Sequence, residues 1–233
     1  MEFAPQPSRW MDIAMPFFAS AYIFSAILIP FLIFSLATLG LNILTGYAGQ
    51  LSLGTAAFMA VGAFASYNFV LRVPGMPVLL AFVLGGICAA LVGILFGLPS
   101  LRIRGFYLAA STLATQFFVV WCLTKVPWFT NNSSSGVITA QQVEILGYKF
   151  ETPQDKYLLV LGIVCVMALM AKNMVRSTVG RSWMAVRDMD VAAEVIGFRI
   201  MKTKLTAFAI SGAIAGMAGN LLLVRDQVVT GDA

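Results

Sequence analysis

The side chains in this chain best placed for chemistry are uncharged. Gln50 and Ser52 stand in "LTGYAGQLSLG", residues 44 to 54, with Asn42 just before and Thr55 just after, and with Gly46, Gly49 and Gly54 among them. A second group, Ser111, Thr112, Thr115 and Gln116, occupies positions i, i+1, i+4 and i+5, which share one face of a helix. Amides and hydroxyls donate and accept hydrogen bonds without bearing charge, so they can hold a polar solute in passing but supply no proton relay. Asn42, Gln50, Ser52, Thr112 and Gln116 are therefore candidate lining residues of a path. A turn with a few interhelical hydrogen bonds accounts for the same pattern equally well.

These groups sit in a chain written for lipid. Hydrophobic residues make up 60% and charged residues 11% of the 233, against about 25% charged in an ordinary soluble domain. No formal charge falls between Asp12 and Arg72, and the gaps to Arg102, Arg104 and Lys125 are each long enough to cross a hydrocarbon core. The apolar run from Ile13 is too long for a cleavable signal and follows an acid, so it reads as a retained helix. Cys88, Cys122 and Cys165 lie in apolar segments with no metal or disulfide spacing. The excess of five positive charges borders apolar runs and forms no basic domain, which argues for membrane topology and against nucleic acid.

The fold class that follows is all-α, a polytopic membrane helix bundle of about six spans. Charges and turn residues bound them near 17–40, 51–71, 77–98, 105–124, 157–175 and 205–223. The fifth looks short, with Lys156 and Lys172 snorkelling to opposite interfaces. Segment 1–16 precedes the bundle, 17–223 forms the membrane domain and 224–233 is a tail. Basic residues crowd 172–204, whereas acids offset the three lysines of 125–156. The positive-inside rule then puts 172–204, Arg102 and Arg104 in the cytoplasm, and Arg72, loop 125–156 and the N-terminus outside. "TNNSSSG", 130–136, is a loop by composition, and its two N-x-S/T matches are of a kind that arises often by chance.

Helices in lipid associate through small residues. Ala89, Gly93 and Gly97 recur every fourth position, as do Gly212 and Gly216, and both stripes are candidate packing faces. No Asp, Glu, His, Lys or Arg lies mid-span, which weakens an ion-coupled secondary transporter, although broken-helix carbonyls can bind sodium. G-x-x-x-x-G-K-[ST] does not occur, so the chain holds no Walker loop of its own.

"VGRSWMAVRDMDVAAEVIGFRI", 179–200, has apolar residues near helical spacing between Gly180 and Gly197, and predicts one amphipathic helix over 181–196. It either lies on the membrane surface, docks on a partner or serves as a basic loop setting topology. Its Gly180, Arg181, Ala185, Arg187, Asp188, Ala192, Ala193 and Gly197 resemble the cytoplasmic coupling motif of bacterial ABC importer permeases, in the form found in branched-chain amino acid permeases of LivM type. "GYAGQLSLGTAAFMAVGA", 46–63, and "LPSLRIRGFYLAASTLA", 98–114, resemble two further stretches of that family in the same order. The urea-permease branch is similar but usually lacks the alanine pair at 192 and 193.

The resemblance implies a multi-pass inner-membrane transport subunit that is not an enzyme and binds no cofactor. ATP would be used by separate cytoplasmic ATPase subunits docked on coupling loop 176–204, with Ala192 and Ala193 in their groove and Arg187 and Asp188 fixing register. A second, LivH-like permease subunit, a periplasmic binding protein and membrane lipid complete the expected partners. The family usually continues for several more membrane segments, so the resemblance implies a truncated chain. Alternatives are an ion-coupled secondary transporter, a permease for urea or another small polar solute, and a scaffold that does not transport.

Overall fold

The computed structural model describes residues 23–100, 106–131, 138–139, 144–145, 148–149, 153–226 and 228–229. In chain order these form α1 (Ile23–Tyr47), α2 (Thr55–Arg72), α3 (Val78–Ser100), α4 (Phe106–Lys125), α5 (Pro153–Arg176), α6 (Thr178–Asp188), α7 (Asp190–Val195) and α8 (Ile200–Asp226). Two pairs of two-residue strands join them: β1 (Ile138–Thr139) with β4 (Val228–Val229), and β2 (Glu144–Ile145) with β3 (Tyr148–Lys149), both antiparallel. Arg102, Arg104 and the stretches 1–22 and 132–137 lie outside the described residues.

Among the described residues five helices, α1, α3, α4, α5 and α8, are long and apolar enough to cross a membrane. The remaining expected span is α2, an 18-residue helix that carries Ser66, Asn68 and Arg72 in its second half. The fifth span is not short: α5 runs 24 residues, because Pro153 at its first position and Asp155 in its first turn start the helix before Lys156. Lys156 and Lys172 thus lie inside the helix, not at its ends.

α8 is the hub. Of its most apolar window 72% is buried, against 11% for α5, and α1, α2 and α3 all pack on it. The composition explains this, since Gly212, Ala215, Gly216, Ala218 and Gly219 leave little side chain on any face, and small residues let neighbouring backbones come close. A Cβ on Gly212 would stand 3.0 Å from the Ala89 carbonyl oxygen, one on Gly93 3.1 Å from that of Phe208, and one on Gly97 3.3 Å from Leu205. A Cβ on Gly216 would collide with that of Ala89, and one on Gly62 with the Gly216 backbone. The 89–93–97 and 212–216 stripes therefore face each other along α3 and α8, with Gly62 of α2 as a third member that the four-residue spacing did not reveal.

Side-chain bonds gather the chain's polar material at two ends. At one, Arg72 donates to the Trp128 carbonyl at 2.7 Å, and β1 pairs with β4 beyond α8. At the other, Gln50 donates to the Lys204 carbonyl at 3.3 Å and Arg187 reaches Gly46.

Candidate functional site

Between α1 and α2 the backbone leaves the helix. α1 closes with a wide π-type turn over Ile43–Tyr47, Gly49 takes φ +67°, and residues 49–54 are neither helix nor strand. Exposure alternates along it: Gln50 and Ser52 are 2% and 5% exposed, Leu51 and Leu53 both 56%. The Leu53 N–H donates to Thr112 Oγ1 at 3.0 Å, which ties the break to α4, while Thr112 donates to the Ala109 carbonyl at 2.8 Å. Ser52 Oγ accepts from the Gly54 N–H at 3.3 Å. Buried Gln50 Oε1 has no partner, which leaves one strong acceptor available beside the break.

Ser52, Thr112 and Thr115 also line a small chamber of about 10 Å3, walled by Phe58, Phe96 and Phe208. That volume holds about one water. Of the expected path residues, then, Ser52 and Thr112 come together in the chamber lining, while buried Gln50, two positions from Ser52, lies outside that lining and bonds the Lys204 carbonyl. Gln116 is half-buried on α4, outside the chamber lining. Asn42 is exposed on the outer side of α1, in an open groove with Ser35, Thr38 and Thr45. Asn42 and Gln50 flank the same glycines in sequence, but Asn42 is exposed on α1 whereas Gln50 is buried beyond the turn after Tyr47.

The 179–200 segment folds as two helices, not one over 181–196. Met189 adopts φ −150°, ψ 95° and breaks it. Ser177 caps α6 by accepting the Val179 N–H at 3.2 Å, and its hydroxyl donates to Met174 at 2.6 Å. α7 ends in a Schellman pattern: Phe198 N–H bonds the Ala193 carbonyl at 2.9 Å, Gly197 N–H bonds that of Glu194 at 2.9 Å, and Gly197 has φ +102°. Gly197 therefore turns the chain towards α8.

The break redistributes the expected docking face. Trp183 is fully buried and donates to Thr206 Oγ1 at 3.1 Å, Val186 is buried with it, and a Cβ on Gly180 would collide with the Val175 backbone. Ala193, expected beside Ala192 on the outer face, is 3% exposed and turned into its own chain; Ala192 is exposed. Arg181 is exposed and Ala185 half-buried. The outward face belongs instead to Met189, Val191, Val195 and Ile196, at 70%, 72%, 84% and 77% exposure.

Arg187 joins the two parts of the site. Its Nη1 donates to the Gly46 carbonyl at 2.7 Å, and Nε and Nη2 bond Asp188 Oδ1, each at 2.8 Å. A Cβ on Gly49 would lie 2.6 Å from Arg187 Cγ, so the left-handed turn and the missing side chain both serve this approach. Sequence reasoning missed this contact, and also two buried amides: Asn220, which donates to the Phe82 carbonyl at 2.7 Å, and Asn68 near Arg72. Their polarity within apolar helices was the available signal. Among the described residues no cluster of metal-ligating side chains occurs.

The family described as "Branched-chain amino acid transport system / permease component" matches residues 23–232. The LivM permease protein of the high-affinity branched-chain amino acid transport system of Escherichia coli K12 is 31% identical over 224 residues, 85% of this chain and 52% of that one. Its Salmonella typhimurium counterpart gives the same figures. A probable LivM permease protein of Methanocaldococcus jannaschii is 25% identical over 84% of this chain and 66% of its own. The chain spans about half the length of the two bacterial relatives, and no solved structure matches it.

Proposed function

The chain belongs to the family of branched-chain amino acid transport system permease components, and on that premise we propose that it is a multi-pass inner-membrane subunit of an ATP-driven importer. The substrates are branched-chain or related small amino acids, the class in the relatives' names. ATP is bound by separate cytoplasmic ATPase subunits. A second permease subunit completes the membrane part, and a periplasmic protein delivers the solute. In this reading the Arg187 end faces the cytoplasm and the Arg72 end the periplasm.

The observation that carries the proposal is the apolar tip on α6–α7. Met189, Val191, Val195 and Ile196 project from the basic loop, where four large exposed apolar side chains on one short element ask for a protein cover. The tip is anchored by buried Trp183 and by Arg187, which bonds the backbone at the start of the break holding Gln50 and Ser52. A partner that pushes on the tip thereby moves a rigid element tied to the neutral polar groups. A zwitterion has no net charge, so these groups suffice to meet it without a counter-ion.

Copurification tests the reading. Val195→Asp puts a charge into the docking contact and should abolish capture of the ATPase while the chain still inserts. Retention of the ATPase at the unsubstituted level rules out this tip as the docking element.

A further inference from the structure

At the Arg72 end, α2, α3, α4 and residues 126–129 line a cavity of about 600 Å3, which shares only the apolar walls Val92, Phe96 and Val119 with the chamber above and none of its hydroxyls. Its walls are apolar: Val61, Phe69, Cys88, Val119 and Leu123 are typical, and within its lining only Asn68 and Arg72 carry strongly polar groups. Along α2 it extends from Val61 to Arg72, about 16 Å at 1.5 Å per residue. That is about half of a 30 Å hydrocarbon core, the depth of one leaflet.

The mouth is built around one cation. Arg72 Nε donates to Asn68 Oδ1 at 3.1 Å, one Nη2 hydrogen goes to the Trp128 carbonyl at 2.7 Å, and the guanidinium lies 4.1 Å from the centre of the Trp128 ring. Asn68 is itself fixed, donating to the Phe64 and Phe129 carbonyls at 2.8 and 2.9 Å. Of the five guanidinium N–H donors two are used, so three remain at the mouth, and among the described residues no carboxylate pairs with them. Trp128 is the residue type that marks a membrane–water interface.

A held cation above a leaflet-deep apolar slot matches one kind of molecule. We propose that this cavity binds an anionic phospholipid, with an acyl chain between α2, α3 and α4 and the phosphate on Arg72. A zwitterionic amino acid fits poorly, because its ammonium group meets the Arg72 cation and no carboxylate along these walls, and burying it without a counter-ion is costly. The site stands independently of the transport reading, since it requires only insertion in a bilayer.

Native mass spectrometry of the purified full chain, equilibrated with equal amounts of dioleoyl phosphatidylglycerol and phosphatidylcholine, tests the assignment. The unsubstituted chain should retain one phosphatidylglycerol with about fivefold preference, the factor that one basic residue near an anionic surface confers. Arg72→Gln should remove the preference but keep an acyl-chain lipid, and Cys88→Phe, which fills the slot, should lose the retained lipid. Ala65→Leu fills it from α2 and replaces Cys88→Phe if that variant does not fold. No preference in the unsubstituted chain, or full retention in both slot-filling variants that fold, overturns the proposal. Displacement of phosphatidylglycerol by equimolar oleate, or a lipid-free second copy of the chain in its place, assigns the slot to another occupant and overturns it as well.

Discussion

Arg187 donates to the carbonyl of Gly46 across 141 positions of sequence, at 2.7 Å. Through this bond the loop between α5 and α8 holds the end of α1 at the point where the backbone leaves the helix. A carbonyl released by a wide helical turn needs a donor, and a guanidinium that has already met Asp188 has one to give.

Arg187→Ala should weaken coupling without abolishing docking. A hydrogen bond to a charged group contributes about 1.5–3 kcal/mol where it is shielded, and this one is partly exposed, so a loss of about 1 kcal/mol is expected. In a reconstituted complex, uptake per ATP hydrolysed should fall while ATPase capture persists. Unchanged stoichiometry would mean the bond is only a structural tie.

Two glycines with left-handed backbone should respond differently to alanine. Gly197→Ala meets nothing within 4 Å and should cost about 1–2 kcal/mol, the left-handed penalty alone. Gly49→Ala carries the same penalty and also overlaps Arg187 Cγ, so it should melt at a lower temperature in detergent. Equal melting temperatures would show that Arg187 moves aside freely.

The hub between α3 and α8 predicts a sharp contrast. Gly216→Leu forces apart backbones that touch and should prevent recovery of folded protein. Gly162→Ala, in open space on α5, should be tolerated or stabilise by about 0.5–1 kcal/mol. Size-exclusion profiles of the two variants decide it, and a normal profile for Gly216→Leu would contradict the packing described.

Sidedness can be read directly. With Cys88, Cys122 and Cys165 replaced, Pro74→Cys at the exposed turn after α2 should react with an impermeant thiol reagent in intact cells, and Met189→Cys should react only after lysis. The opposite pattern would invert the orientation.

Much of the bundle was legible in the sequence because lipid imposes length and charge rules on every span. The small-residue stripes could be read too, since spacing alone puts Ala89, Gly93 and Gly97 on one face. What spacing cannot give is the identity of the surface opposite. Ala193 obeyed the amphipathic period, yet Met189 leaves the helix and the face that continues beyond it is a different one. The Arg187–Gly46 bond and the Arg72–Trp128 contact join distant segments, and local patterns carry no information about such pairings. Gln50 and Asn42 show the converse: neighbours in sequence that a single π-type turn and one left-handed glycine send apart.

The chamber beside Ser52, Thr112 and Phe96 has room for about one water molecule. An ion cannot bring its hydration shell into such a space, and beyond the hydroxyls of Ser52, Thr112 and Thr115 the apolar walls offer nothing to replace that shell. A solvated ion therefore has no place in this chamber as it stands, and only a change in how α2, α3, α4 and α8 pack would admit one.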